Sequence, residues 1–294
     1  MTVHERPHFV GIGAQKAAST WLYRCLGAHP RLWLPPVKEL HYFIHQSEDR
    51  HPGVAGRLCG RDWVNRRLRR IMKPRLLSDL RSLDPARLRW DLRYFLGHRS
   101  DAWYESLFRA GSSRVTGEIT PEYALMSTDE VGRVRDAFPG LRILYLMRDP
   151  IDRAWSQMRM LARLRGLSLD SEAAAVTLAG DPVVLARSDY RRTLDAWTSH
   201  FPPDRILTGF LEEVRSDPRA LLTRIFEFLG VEMDDSVLPP DLHRVVHPGE
   251  PKPIPAAVER ELARTCVEDL RVLEERFGHP VSAWRERAER VLAG

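Results

Sequence analysis

A short apolar run near the start of the chain is followed by a loop of small residues and then by a helical pattern. Phe9 to Gly13 (FVGIG) predicts a buried strand, and Ser19 to Leu26 carries apolar residues at helical spacing. The loop between them, Ala14 to Ala18, leaves the first N–H groups of the helix without intrahelical partners. This strand–loop–helix unit predicts an α/β fold with an anion site at the first turn.

Further strands alternate with helices along the chain. We predict strands at Arg114 to Ile119, Leu141 to Met147 and Arg205 to Phe210, and helices at Trp103 to Phe108, Ser188 to His200, Pro218 to Leu229 and Ala256 to Phe277. The LRILYLM run is almost wholly apolar, which favours a central position in a parallel sheet. The alternation is typical of such a sheet with helices on both faces.

An Arg-rich segment interrupts this rhythm between about residues 47 and 100. Helical stretches are predicted at Trp63 to Met72 and Arg75 to Leu83, and the segment also carries Trp90, Tyr94 and Phe95. Because no linker or repeat is evident, we expect one domain over residues 1–294 with a helical insertion. The insertion is either a helical cap whose aromatic residues pack on the sheet or a surface for an acidic or amphiphilic ligand.

The basic charge of the chain comes almost wholly from arginine. Arginines make up 41 of the 45 basic residues, and the net charge is +5. Such a balance suits a protein that handles anions, although a genome that favours Arg codons would also explain most of it. No nucleic-acid-binding motif accompanies the charge.

The sequence also gives expectations about the cellular location of the protein and about metal binding. The three cysteines, Cys25, Cys59 and Cys266, are too few and too scattered for a disulfide framework or a zinc site. The N-terminal residues lack the apolar core of a signal peptide, and no run approaches the ~20 apolar residues of a membrane span. We therefore expect a cytoplasmic protein without a metal.

The first loop has the residue types of a phosphate site. Gly11 and Gly13 allow a tight turn, Lys16 adds a point charge, and Ser19 and Thr20 supply hydroxyl donors. The GxxxxGK[ST] pattern of ATP- and GTP-dependent P-loop enzymes is absent, because Lys16 is followed by two alanines. An ordinary strand–helix turn is the alternative interpretation.

A second anion-binding pattern follows the predicted central strand. The segment LMRDPIDRAWSQ places Arg148 at the carboxyl end of that strand and Ser156 two turns into the next helix. Ligands of open α/β sheets bind at this end of the strands, and Arg148 could grip a phosphate with two hydrogen bonds. Alternatively, Arg148 forms a local pair with Asp149. Two anion sites on neighbouring strands would match a nucleotide phosphorylated at both ends.

Both patterns resemble those of sulfotransferases that use 3′-phosphoadenosine 5′-phosphosulfate (PAPS). GAQKAASTWLYRCLGAHP resembles the loop for the 5′-phosphosulfate, and RDPIDRAWSQ the segment for the 3′-phosphate. PVKELHYF resembles an acceptor-side segment of bacterial and heparan sulfate sulfotransferases. Weaker similarities are GEITPEY, WYESLF, FEFLGV and the run from Tyr190 to Phe201. The resemblance implies a three-layer, P-loop-like fold with a central parallel sheet flanked by helices.

The resemblance also assigns roles to individual residues. The 5′-phosphosulfate would lie on Lys16, Ala17, Ala18, Ser19 and Thr20, with Trp21 against the adenine and Arg148 and Ser156 on the 3′-phosphate. Glu39 falls where the heparan sulfate enzymes carry their catalytic glutamate, and His41 where they carry an active-site histidine. These roles imply transfer of a sulfuryl group from PAPS, without a metal, to a hydroxyl or amine of a small-molecule, lipid or carbohydrate acceptor.

Three positions depart from the family pattern. Ala18 replaces the usual glycine of the loop, and Ile119 stands where relatives often carry a lysine near the acceptor. The late glycine–lysine loop over the nucleotide is not evident, and Lys252, after HRVVHPGEP, is the candidate to replace it. The acceptor class and part of the nucleotide site are therefore left open.

The chemistry of sulfuryl transfer indicates which role each candidate residue would have. Lys16 and the helix N-terminus would stabilise charge on the leaving phosphate. Glu39 is the first candidate for the general base and His41 the second; on an extended segment the two side chains would point the same way. A nucleotide-dependent kinase-like enzyme and a non-catalytic nucleotide-binding module are the competing interpretations.

Overall fold

The computed structural model describes residues 6–45, 59–61, 63–233, 236, 238, 239, 242 and 252–294. Its strands are β1 (Phe9–Gly13), β2 (Leu32–Trp33), β3 (Val115–Ile119), β4 (Arg142–Met147) and β5 (Ile206–Phe210). Its α-helices are α1 (Ser19–Ala28), α2 (Trp63–Ser82), α3 (Pro85–Leu96), α4 (Asp101–Ser106), α5 (Thr128–Ala137), α6 (Pro150–Arg165), α7 (Glu172–Ala179), α8 (Pro182–Leu185), α9 (Tyr190–Thr198), α10 (Leu211–Ser216), α11 (Pro218–Leu229), α12 (Ala256–Phe277) and α13 (Val281–Ala293).

The five strands form one parallel sheet in the order β2-β3-β1-β4-β5. Strand β1 is central: Phe9 is level with Gly117 of β3 on one side and with Arg142 of β4 on the other. All carboxyl ends lie at the same edge, so the loops after β1 and β4 are neighbours. The predicted parallel α/β architecture is confirmed.

Side chains of the central strands alternate between two cores, as a sheet covered on both faces requires. Phe9, Leu144 and Leu146 pack with α1 and α11 on one face. Val10, Ile143, Tyr145 and Met147 face the other core, which holds buried residues of α5, α6, α9 and α12. The structure therefore has three layers, as predicted.

The described part of the Arg-rich segment forms a helical hairpin, α2 and α3. Trp90, Tyr94 and Phe95 are buried in the main core, which favours the packing interpretation of these aromatic residues. The two predicted helical stretches form one helix, because α2 continues through Pro74. Arg75 donates two hydrogen bonds to the buried Asp91, at 2.9 and 2.7 Å, and so ties the two helices together.

The last two helices form a pair that packs on α6, α7 and α9. Helix α12 begins and ends as predicted, whereas the sequence interpretation missed α13. It also missed α5, although Ser127 and Glu130 form a capping box whose S-x-x-E pattern is visible in the sequence. The short helices α7, α8 and α10 were missed as well.

None of the described helices is long and apolar enough to cross a membrane. None of the three cysteines, all within the described residues, forms a disulfide bond; Cys25 and Cys266 are buried and Cys59 is exposed.

The packing of β3 against β1 can be tested by substitution at Gly117. A Cβ at Gly117 would meet ring carbons of the buried Phe9 at 2.5 Å, whereas a Cβ at Gly27 of α1 would meet nothing within 4 Å. We expect Gly117→Ala to lower the free energy of unfolding by about 1–3 kcal/mol because of overpacking. Gly27→Ala should raise it by up to about 1 kcal/mol through helix propensity. Urea denaturation of both variants checks the difference; equal effects would contradict the packing.

Candidate active site

The loop after β1 presents the uncapped N-terminus of α1. Lys16 and Ala18 both have left-handed backbone conformations, with φ of 72° and 63°. Ala18 precedes α1 and makes no side-chain capping bond, so the N–H groups of the first turn have no cap. A non-glycine residue in this region costs about 1–2 kcal/mol, which is the energetic consequence of alanine at the usual glycine position. Ala17, Ser19 and Thr20 complete the loop and first turn, as predicted.

Arg148 lies next to this loop at the end of β4. Its Nη1 donates to the carbonyl oxygen of Lys16 at 3.3 Å, and Tyr190 Oη donates to the carbonyl oxygen of Arg148 at 2.7 Å. Its Nη2 lies 3.6 Å from Asp152 Oδ2, and its Nε is buried without a hydrogen-bond partner among the described residues. Arg148 is therefore fixed in place with part of its donor capacity unused.

The alternative interpretation, a local pair between Arg148 and Asp149, is not the observed arrangement. Asp149 caps α6, accepting from Ile151 N at 2.8 Å, and its other oxygen accepts from Arg287 of α13 at 2.8 Å. Helix α13, which the sequence interpretation missed, thus supplies the guanidinium partner of Asp149. Ser156 lies half-buried on α6, two turns beyond Asp149.

Several cations repel one another at this edge of the sheet. Burial lowers the pKa of Lys16, and the positive charges of Arg148, Arg159 and Arg163 lower it further. Burial likewise lowers the pKa of Arg148; the charge of Asp152 opposes that shift and the charge of Arg215 adds to it. An anion placed among these side chains would relieve the repulsion.

The sequence interpretation did not identify three of these cations as site residues: Arg159, Arg163 and Arg215. Arg159 and Arg163 follow Ser156 at three and seven residues on α6, the spacing that places side chains on one helix face. Arg215 lies on α10, directly after β5, at the same edge of the sheet. The spacing of Arg159 and Arg163 from Ser156 is visible in the sequence. The proximity of Arg215 to Arg148 depends on the order of the strands in the sheet.

The segment Val37 to Phe43 brings Glu39 and His41 to the loop. Their backbones are left-handed, with φ of 66° and 53°, so the expectation of an extended segment is wrong. The two side chains are nevertheless adjacent, with His41 Nε2 3.7 Å from Glu39 Oε2. Lys38 Nζ lies 2.9 Å from Glu39 Oε1 and 3.1 Å from Ser19 Oγ. One ammonium group therefore joins the candidate base to the first turn of α1.

A buried glutamate holds this segment in its unusual conformation. Glu118 of β3 accepts from Leu40 N at 3.2 Å, and from the hydroxyl groups of Tyr104, Thr120 and Tyr123 at 2.8, 2.7 and 2.7 Å. Tyr123 Oη also accepts from Tyr42 N at 3.0 Å. Burial raises the pKa of Glu118, and the hydrogen bonds oppose that shift. Residue 40, between Glu39 and His41, is thus fixed to the sheet.

Glu122 was not recognised in the sequence as a site residue. It lies on the 3-10 helix Pro121–Leu125, where its Oε2 is 2.9 Å from His41 Nδ1 and its Oε1 is 2.8 Å from Arg187 Nη2. The hydrogen bond from His41, with the charges of His41 and Arg187, lowers its pKa to about 2. Only the tertiary contact with His41 distinguishes this glutamate from others in the sequence.

Trp21 and Lys252, two predicted nucleotide contacts, have protein partners in the structure. Trp21 is buried, 4% exposed, and its indole N–H donates to the carbonyl oxygen of Leu242 at 2.9 Å. Lys252 forms an exposed ion pair with Asp170 at 2.8 Å, and its carbonyl oxygen accepts from Trp155 of α6. The HRVVHPGEP stretch before Lys252 lies outside the described residues. Stacking on Trp21 and a role for Lys252 stay predictions.

No group of three or more His, Cys, Asp or Glu side chains suited to a metal ion occurs within the part of the chain that the structure describes.

A parallel α/β sheet with a cationic loop and an uncapped helix at its carboxyl edge is typical of proteins that bind anionic ligands such as nucleotides. A family comparison makes this more specific: residues 7–235 match the sulfotransferase family. The chain belongs to this family, as the sequence motifs implied.

Relatives and solved structures agree with this assignment. Human heparan sulfate glucosamine 3-O-sulfotransferase 6 is 30% identical over 165 residues, 54% of this chain and 47% of the relative. The mouse 3-O-sulfotransferase 3B1 is 26% identical over 143 residues, covering 46% of this chain and 36% of that relative. The chain thus spans about half the length of these relatives or less.

Two solved structures share the fold. A sulfotransferase from Alicyclobacillus acidocaldarius has a TM-score of 0.61 and 23% identity, with coverage of 95% of this chain and 99% of its own. The sulfotransferase domain of the Synechococcus PCC 7002 olefin synthase has a TM-score of 0.55 and 20% identity, with coverage of 90% and 94%.

The role of Glu118 as an anchor is open to a direct test. A glutamine has only one acceptor oxygen for the donors that meet the carboxylate, so we expect Glu118→Gln to cost about 1–3 kcal/mol of stability. Glu275→Gln, which changes an exposed glutamate of α12, is the matched control and should have little effect. Urea denaturation compares the two. Equal stability of both variants would show that Glu118 does not hold the segment.

Proposed function

We propose that this chain transfers the sulfuryl group of PAPS to a hydroxyl or amine of its acceptor. Family membership supports sulfuryl transfer in general. The proposal is carried by one observation: Lys38 Nζ contacts both Ser19 Oγ of the donor loop and the carboxylate of Glu39. The contact supports Glu39 as the base, because Lys38 joins its carboxylate to the turn where the donor would bind.

The residues at the carboxyl edge of the sheet fit a donor with two anionic ends. Lys16, Ser19, Thr20 and the uncapped N-terminus of α1 would hold the 5′-phosphosulfate. Arg148, whose Nε donates to none of the described residues, and Ser156 would hold the 3′-phosphate. The mutual repulsion of Lys16 and Arg148 supports the fit, because it disappears when anions lie between them.

The proposed chemistry needs a stabilised leaving group and a base. PAPS supplies the sulfuryl group and a nucleotide phosphate as the leaving group. Lys16 and the N–H groups of α1 stabilise the negative charge that develops on the leaving oxygen. The acceptor's proton passes to Glu39, our first choice, or to His41, while the loop fixes the reacting atoms in line.

The names of the relatives suggest the first acceptor class to test. Those described above act, by name, on glucosamine of heparan sulfate. We therefore place carbohydrate hydroxyls first among the acceptors and keep lipids and other small molecules in the screen. The chain lacks the lysine that relatives often carry at position 119, so the same carbohydrate need not be the acceptor.

Donor binding is tested by calorimetric titration with PAP, the desulfonated product of PAPS. We expect micromolar or tighter binding, weakened at least about 10-fold in Arg148→Ala, because one charged hydrogen-bonding partner contributes ~1.5–3 kcal/mol. ATP with Mg²⁺ is the control ligand. No PAP binding, or a preference for ATP, would favour a kinase-like enzyme over a sulfotransferase. PAP binding without turnover of any acceptor would favour a non-catalytic module.

The assignment of the base is tested by Glu39→Gln, with labelled PAPS and an acceptor from the screen. Loss of a general base lowers kcat by about 10²–10⁴-fold. The dissociation constant for PAP should stay within about threefold, because the glutamine keeps the size of the side chain. Equal losses in turnover and PAP affinity would contradict the role. Glu275→Gln, with the same charge change on α12, should behave as the wild type.

A further inference from the structure

His41 lies between two carboxylates that meet different atoms of its ring. Nδ1 is 2.9 Å from Glu122 Oε2, whereas Nε2 is 3.7 Å from Glu39 Oε2. The Nε2 atom is buried and makes no hydrogen bond to any described residue, and the side chain is 16% exposed. The two ring nitrogens of His41 therefore have different environments, one hydrogen-bonded and one open toward Glu39.

Glu122 is held rigidly enough to orient a neighbouring ring. Its second oxygen accepts from Arg187 Nη2 at 2.8 Å, and Arg187 Nη1 donates to the carbonyl oxygen of Val183 at 3.0 Å. The end of its 3-10 helix is also tied, since Thr193 Oγ1 donates to the carbonyl oxygen of Ala124 at 2.9 Å. The adjacent Tyr123 is fixed to Glu118.

The charge state of Glu122 determines which nitrogen of His41 carries a proton. With its pKa lowered to about 2, Glu122 is an anion at neutral pH. An ionised carboxylate only accepts hydrogen bonds, so Nδ1 of His41 must be the donor. In the neutral imidazole the lone pair then lies on Nε2.

We propose that Glu122 is a positioning residue that fixes the Nδ1–H tautomer of His41 and turns the Nε2 lone pair toward Glu39. The inference rests on the proposed sulfuryl transfer. The acceptor's O–H or N–H bond breaks, and its electron pair forms the bond to sulfur as the bond from sulfur to the nucleotide phosphate breaks. The proton passes to the pair formed by Glu39 and His41 Nε2. If the Glu122–Arg187 ion pair were purely structural, a change of the His41 tautomer in a Glu122 variant would leave kcat unchanged.

The Glu122→Gln variant distinguishes the two roles. Arg187 requires an oxygen, so the amide oxygen should face Arg187 and the amide NH₂ should face His41 Nδ1. Nδ1 then accepts, and the proton moves to Nε2. In serine proteases, exchange of the aspartate beside the catalytic histidine for asparagine gives the wrong tautomer and lowers kcat by about 10⁴-fold. Because Glu39 remains here, we expect a smaller loss of kcat, about 10–10²-fold.

The test is ¹⁵N NMR of protein labelled at histidine, with the tautomer read on the neutral imidazole at the alkaline end of a pH series. A His41→Asn sample identifies the signals of His41. We expect Nδ1–H in the wild type and in Glu122→Asp, Nε2–H in Glu122→Gln, and no change in Glu275→Gln. An Nε2–H tautomer in the wild type, or the same tautomer in Glu122→Gln, would overturn the proposal.

Turnover provides the second readout. Glu122→Gln should lower kcat and leave KM for PAPS and the affinity for PAP within about threefold, because Glu122 contacts neither phosphate site. Unchanged kcat would overturn the positioning role. The NMR measurement needs neither donor nor acceptor, so its result is separate from a failure of PAP binding, which would count against the proposed function alone.

Discussion

The site depends on one constraint: two positively charged side chains lie together where the parallel strands β1 and β4 end. Lys16 follows β1 and Arg148 follows β4, and these strands are neighbours at the centre of the sheet. Burial and mutual repulsion both disfavour this arrangement in the absence of an anion. The surrounding structure maintains it through Tyr190, which holds the Arg148 backbone, and through Arg287, which occupies the carboxylate of Asp149. The fold thus gathers cations at a place that suits an anionic ligand, and Asp152, 3.6 Å from Arg148, offsets part of their charge.

The acceptor side is positioned by a different kind of interaction. Glu118 is buried under the segment that carries Glu39 and His41 and accepts a hydrogen bond from the backbone between them. Such a fully paired buried carboxylate specifies one conformation, because each lost partner would leave a buried donor unsatisfied. Lys38 then connects this anchored segment to Ser19. Donor loop and candidate base therefore belong to one hydrogen-bonded unit.

Much of this arrangement follows from local patterns in the sequence. The apolar runs predicted β1 and β4, and the parallel sheet placed Lys16 and Arg148 side by side because carboxyl ends of parallel strands share an edge. Glu39 and His41 were identified through a resemblance, and their proximity holds although the backbone is left-handed there. In these cases, the information lies within a few residues of the chain or in a recurring motif.

Other features depend on contacts between distant segments. Glu122 meets His41 from 81 positions further along the chain, and Arg287 reaches Asp149 across 138 positions. No spacing rule predicts such pairs, since they depend on how the helices pack. The continuous α2 likewise depends on tertiary support, because Arg75 ties it to α3 one residue beyond Pro74.

Two anion sites, one after each central strand, are proposed to accept the two ends of a doubly phosphorylated nucleotide. Thermal denaturation with PAP and with 5′-AMP, which lacks the 3′-phosphate, tests this pairing of sites. Ligand binding stabilises a protein by about 2.7 kcal/mol at a hundredfold excess over the dissociation constant. We expect a clear increase in Tm with PAP and a much smaller one with 5′-AMP at the same concentration. Equal shifts would show that Arg148 and Ser156 do not bind the 3′-phosphate and would contradict binding at two sites.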